Sequence, residues 1–155
     1  MSLVHLHLLT NHIPVIGLPF AAVVLIAALS MRNSNVGKLG LLMLIGVAAL
    51  SAIPYYTGES AVEAVKNLAG VTREATHEHE EAAEFAFIAT CVMGTLGLAL
   101  LWVYRKRDLP RWTVGVSLTL ALFASSILAR TAYLGGQIRH TEIHASAPAD
   151  STVAR

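Results

Sequence analysis

The sequence predicts an all-α protein, an integral membrane four-helix bundle with a short amphipathic surface helix between the second and third spans. Three observations predict it. Hydrophobic residues make up 55% of the 155 residues and charged residues 14%, against roughly 45–50% and about 25% in soluble domains. That excess is gathered into four runs, each of about the 17–25 residues that a helix needs to cross a ~30 Å hydrocarbon layer. The charges between the runs are sorted by sign. The length suits one domain, a four-span unit over residues 1–144. A small, polar tail over 145–155, "ASAPADSTVAR", is expected to be disordered.

The first span is Ile13 to Met31, with Asn11–His12–Ile13–Pro14 as a helix start carrying proline in its first turn. No Lys or Arg precedes it, so it is expected to be a retained span and not a cleaved signal. His5 and His7, ahead of it, read as interfacial residues without a role. The second span is Leu39 to Tyr56 and ends in the pair Tyr55 and Tyr56. In the loop that follows, Val62, Val65 and Leu68 recur at helical spacing, and Gly70 is a stop signal; this is the expected surface helix. Thr72 then caps a helix with an acidic first turn, which continues into the third span, Ala82 to Tyr104. The fourth span is Trp112 to Leu134.

The two short loops set the orientation. They carry Arg32 and Lys38, and Arg105, Lys106, Arg107 and Arg111, with Trp102, Tyr104 and Trp112 as interfacial anchors. Short basic loops are cytoplasmic, which puts both termini outside, on the periplasmic side of a bacterial inner membrane. Nine of the ten acidic residues then fall on the outer half, Asp108 being the exception. A net charge of +1 with no basic stripe excludes nucleic acid as a partner. The single cysteine, Cys91, excludes a disulfide framework within the chain. HExxH, GxSxG and a phosphate loop are all missing, so no reaction is assigned.

The polar groups point to one end of the bundle. All seven histidines fall at the outer face, and His12, His79 and His140 lie on three different spans at one depth. Helical phase turns His77 and His79 nearly opposite ways. His79 is read as the inward one, on a broad face with Glu80, Glu84, Thr90 and Gly94. On the fourth span Ser126, Arg130, Tyr133, Gln137 and His140 form a stripe. Glu84 is the only acid in the apolar spans, and an intramembrane carboxylate needs a partner; Arg130 is the expected one.

Imidazoles from different helices of a bundle hold haem iron or a non-haem metal. The leading expectation is a redox protein with haem b held by two of His12, His79 and His140. Gly17, Ala83, Ala86, Gly135 and Gly136 lie close enough to make room for the macrocycle. The alternative is a non-haem site for zinc, iron or copper, built from the same histidines with Glu80, Glu84 or Glu142. A third reading is an accessory subunit without a cofactor. The expected surroundings are the lipid bilayer and a redox partner or larger membrane complex.

Four motifs carry a resemblance: "NHIPVIG" at Asn11–Gly17, "TGE" at Thr57–Glu59, "HEEAA" at His79–Ala83 and "GGQIRHTEI" at Gly135–Ile143. In these the chain resembles a group of small bacterial four-helix membrane proteins of the domain-of-unknown-function type, with histidines at the outer helix ends. Similar domains sometimes sit beside cytochrome c modules, so the resemblance implies a link to electron transfer.

Overall fold

In the computed structural model, which describes residues 1–68 and 70–139 (Arg139 by its backbone alone), the chain forms five helices. They are α1 (Leu3–Thr10), α2 (His12–Met31), α3 (Ser34–Val65), α4 (Arg73–Val103) and α5 (Arg111–Arg139). No strand occurs among the described residues. Each of the four long helical stretches, α1 with α2 counted as one, is long and apolar enough to cross a membrane. They run alternately up and down. α3 packs on α2 and α4, and α5 packs on α4 and α2, while α2 and α4 lie diagonally without touching. Both inter-span basic loops therefore meet at one end.

The helices overrun the expected spans, mostly at the other end, which carries the N-terminus. α1 and α2 are separated only at Asn11, whose backbone stays helical (φ −61°, ψ −24°) and still donates to the His7 carbonyl at 2.9 Å. Pro14 has no N–H to offer the Thr10 carbonyl, which accounts for the interruption at this point. The expected surface helix is a correction. Glu59 to Val65 are the last two turns of α3, which runs unbroken for 32 residues, about 48 Å, through Pro54 and Gly58. Extending a formed helix costs far less than nucleating a new one, and α1 packs along α3. Gly70 (φ 86°) does adopt the left-handed conformation, but in the turn after α3 and not at its end. Thr72 caps α4 as expected, its side chain accepting from the Ala75 N–H at 3.1 Å.

Each of the four long helices buries a stripe that alternates small residues with leucine or methionine. The stripes are Pro14, Leu18, Ala21, Leu25 and Ala28 on α2; Gly37, Gly40, Leu44, Val47 and Ser51 on α3; Ala82, Ala86, Thr90, Met93 and Gly97 on α4. Thr113, Ser117, Ala121, Ala124 and Leu128 do the same on α5. The small residues let backbones approach. A Cβ added at Gly40 would stand 2.6 Å from Leu25 Cδ2, and one at Gly94 would collide with Ala48. Three of the phenylalanines point outward: Phe20, Phe85 and Phe123 are 62%, 66% and 63% exposed. This is the reverse of a water-soluble bundle, whose aromatic residues are mostly covered.

The basic-loop end is tied by polar contacts between the two loops. Arg32 closes α2 in the left-handed conformation (φ 50°), and Asn33 caps α3, its side chain accepting from Asn35 and Val36. Leu109 N–H donates to Ser34 Oγ at 2.7 Å, and Lys38 Nζ donates to the Arg107 carbonyl at 2.8 Å.

Candidate functional site

Two histidines enter the bundle at the end opposite the basic loops, and each is held the same way. On α1, His7 continues the buried stripe of α2 backward through Pro14 and Thr10, one turn at a time. Its ring Nδ1 donates to the Pro54 carbonyl of α3 at 2.9 Å, and the ring lies over Gly58, one turn further on. On α4, His79 continues the stripe of Ala86 and Ala82. Its Nδ1 donates to the Thr131 carbonyl of α5 at 3.0 Å, and the ring lies against Gly135, again one turn further on.

A carbonyl can only accept, so in both rings the proton is on Nδ1 and Nε2 carries the lone pair when the ring is neutral. Neither Nε2 has a hydrogen-bond partner among the described residues. A histidine whose Nδ1–H is committed to a backbone carbonyl has the tautomer and the fixed orientation of a metal ligand.

The surroundings are polar in a regular way. Thr10, Thr57, Thr76 and Thr131 are all buried at this end. Thr131 Oγ1 donates to the Ala82 carbonyl at 3.0 Å, so Thr131 links α5 to α4 through both its hydroxyl and its carbonyl. Asn11 Oδ1 is buried with no partner. On the α3–α4 side Tyr55 stacks on Phe87, with ring centroids 4.2 Å apart and planes at 10°.

Several expected site residues lie elsewhere. His12 is exposed, because it stands 200° around the helix from Pro14 on the buried stripe. Glu80 is exposed, and His77 faces outward, 3.4 Å from Glu81. The Glu84–Arg130 ion pair is a correction. Both residues are exposed and no contact of 4.0 Å or less joins them. Glu84 is two residues, and so 200°, from both Ala82 and Ala86; Arg130 is likewise two residues from Leu128. Ser126 and Tyr133 share that outward face. His140 and Glu142 lie outside the described residues. Of the small residues expected to make room, Gly135 adjoins His79, whereas Gly17 serves α2–α3 packing against Val47 and Gly136 has open space beside it. His7, expected to be interfacial, is instead partly buried and bonded to the Pro54 carbonyl.

Among the described residues no group of three or more His, Cys, Asp or Glu side chains converges on one point. The candidate donors are the two histidines that turn inward, His7 and His79. No family model matches the chain, and neither curated proteins nor solved structures give a match.

Proposed function

We propose that the protein is an integral membrane electron-transfer protein that holds haem b at the outer end of its bundle, with His7 and His79 as the axial ligands. The observation that carries this reading is the pair itself. Two inward histidines on diagonal helices each commit Nδ1–H to a backbone carbonyl and keep Nε2 free. Two imidazoles suffice for a haem, whose macrocycle fills the other four positions on iron. A non-haem transition metal asks three or four donors of the protein, and among the described residues no three such side chains converge. Asn11 Oδ1, buried without a donor at the same end, suits a group that brings its own N–H or O–H, such as an ordered water or a protonated propionate.

Bound haem would supply one-electron chemistry at its iron. The chain's part is to fix two ring planes through Pro54 and Thr131 and to surround them with buried threonines. The outward array of Phe20, Phe85 and Phe123 supports a lipid environment. The basic loops at one end support a cytoplasmic inner end, with the histidines facing outside. A redox partner or larger membrane complex would then be met at the outer end.

The test is the visible spectrum of the detergent-purified protein, oxidised and dithionite-reduced, with a metal assay alongside. Sharp reduced bands that vanish in His7→Ala and in His79→Ala, and persist in His12→Ala and His77→Ala, are expected. Stoichiometric metal without those bands would replace haem by a non-haem ion. A colourless, metal-free protein would leave an accessory subunit as the reading.

A further inference from the structure

At the opposite end of the bundle, far from the histidines, a cavity of about 170 Å³ opens between the α2–α3 turn and the start of α5. Its floor is apolar, formed by Ala28, Leu109 and Val114, which are 3%, 5% and 4% exposed. Its rim is polar and carries Arg32 and Arg111, with Asn33, Ser34 and Asp108. One water needs roughly 15 Å³ of such space, so the cavity has room for a tetrahedral anion and part of what the anion is attached to.

The two arginines are placed for this and are not consumed by other ion pairs. Neither makes a salt bridge among the described residues, although Asp108 lines the same cavity. Arg111 donates one guanidinium N–H to the Leu29 carbonyl at 3.3 Å, which anchors the side chain at the end of α2 and leaves its other donors free. Arg32 occupies a left-handed position (φ 50°), where glycine or asparagine is the usual occupant and a longer side chain costs about 1 kcal/mol. The surrounding end carries Lys38, Arg105, Lys106 and Arg107 and no second acid, so the local field favours an anion. Exposed Trp102 and Trp112, 68% and 67% exposed, flank the region at the level of lipid headgroups.

We propose that this cavity is a phosphate-binding site, with Arg32 and Arg111 gripping the phosphate and the apolar floor receiving the carbons attached to it. An arginine fork matches phosphate oxygens in geometry as well as charge. A phosphate on an apolar floor between membrane helices describes the headgroup of an anionic phospholipid. A free phosphate ester shares the same chemistry. The lipid source rests on the membrane reading given above, whereas the site itself is independent of the haem.

The test uses the full chain with Trp102→Phe, so that Trp112, beside Arg111, is the only tryptophan. The protein is reconstituted in phosphatidylcholine, and brominated phosphatidylglycerol or brominated phosphatidylcholine is added as a fluorescence quencher. Quenching at a phosphatidylglycerol concentration about tenfold lower or more than with phosphatidylcholine is expected. Arg32→Gln/Arg111→Gln should abolish that preference, and Asp108→Asn, which removes the one opposing charge, should strengthen it. Arg105→Gln/Arg107→Gln removes equal charge outside the cavity and should preserve most of it. If both double variants weaken it equally, only a diffuse basic surface is at work and the site is overturned. A Trp112 response to inorganic phosphate that needs Arg32 and Arg111, without a lipid preference, supports the site and assigns it to a free phosphate. No selective response to either probe overturns it. Failure of both brominated lipids to quench at all overturns the membrane reading instead.

Discussion

Gly135→Ala tests the histidine cradle with one carbon atom. A Cβ there would stand 2.9 Å from His79 Cε1 and 3.2 Å from Nδ1, where carbon atoms ordinarily rest about 3.5–4.0 Å apart. The ring has two responses. It stays, and the overpacking costs about 1–3 kcal/mol; or it retreats by about half an ångström and gives up its 3.0 Å bond to the Thr131 carbonyl, a net loss of about 0.5–1.5 kcal/mol. Alanine gains about 1 kcal/mol over glycine inside a helix, so the net destabilisation is about 0–2 kcal/mol if the ring stays and about −0.5 to 0.5 kcal/mol if it retreats. The displacement of the ligand is not offset by anything. Disturbing what orients a ligating histidine costs roughly 10- to 100-fold in affinity, so haem retention should fall by that factor while the bundle stays folded. Gly136→Ala, with nothing within 4 Å, receives the same helix gain and moves nothing. Haem titration of the apo-protein and thermal melting in one detergent measure both quantities. If the two alanine variants keep haem equally, the His79–Gly135 contact does not set the ligand and the cradle is refuted.

Other outcomes follow from the same geometry. Glu84→Gln and Arg130→Gln should be additive in a double-mutant cycle to within about 0.5 kcal/mol, because the two exposed side chains do not meet; a larger coupling would restore the ion pair. Thr131→Val removes the buried hydroxyl bond to Ala82 and should cost about 1 kcal/mol in stability while leaving the spectrum unchanged, since the carbonyl that holds His79 remains. Reporter fusions in the Arg105–Arg111 loop should score cytoplasmic; a periplasmic score would invert the placement of both ends.

The bundle was legible because lipid-crossing length and loop charge are one-dimensional signals, and the Thr72 cap was legible because capping is local. The extension of α3 through Val65 was not, since the apolar run ends at Tyr56 and the packing of α1 along α3 is a contact distant in sequence. The choice among histidines turned on phase. His79 was found because its face also carries small residues. Glu84 was assigned inward on its charge alone, by the premise that lipid offers an acid no partner; a position near the outer end of a span removes that premise, because the side chain has water within reach. His7 was readable in principle. Stepping back from Ala28 through Leu25, Ala21, Leu18 and Pro14 leads to Thr10 and then His7, and His12 is off that line. The step was hidden by Asn11–Pro14, which look like the start of a helix and are an interruption inside one.

The same construction appears twice, and that repetition bears on how the site can be lost. In each case the ring comes from one helix, and its neighbour supplies a carbonyl and, four residues later, a glycine: Pro54 with Gly58, Thr131 with Gly135. Neither carbonyl can be removed by a side-chain substitution, so the orientation of each ring depends on helix docking and not on any one polar partner. Docking of α1 on α3 and of α4 on α5 is thus a condition for both histidines to face inward. A bound haem bridging His7 and His79 would in turn join these two docked pairs across the diagonal that α2 and α4 leave without direct contact. Ligand binding to the folded state alone stabilises that state in proportion to the logarithm of ligand excess. Haem should therefore raise the melting temperature of the intact bundle, and His7→Ala and His79→Ala should each remove that increment while leaving the apo-protein's own melting nearly in place.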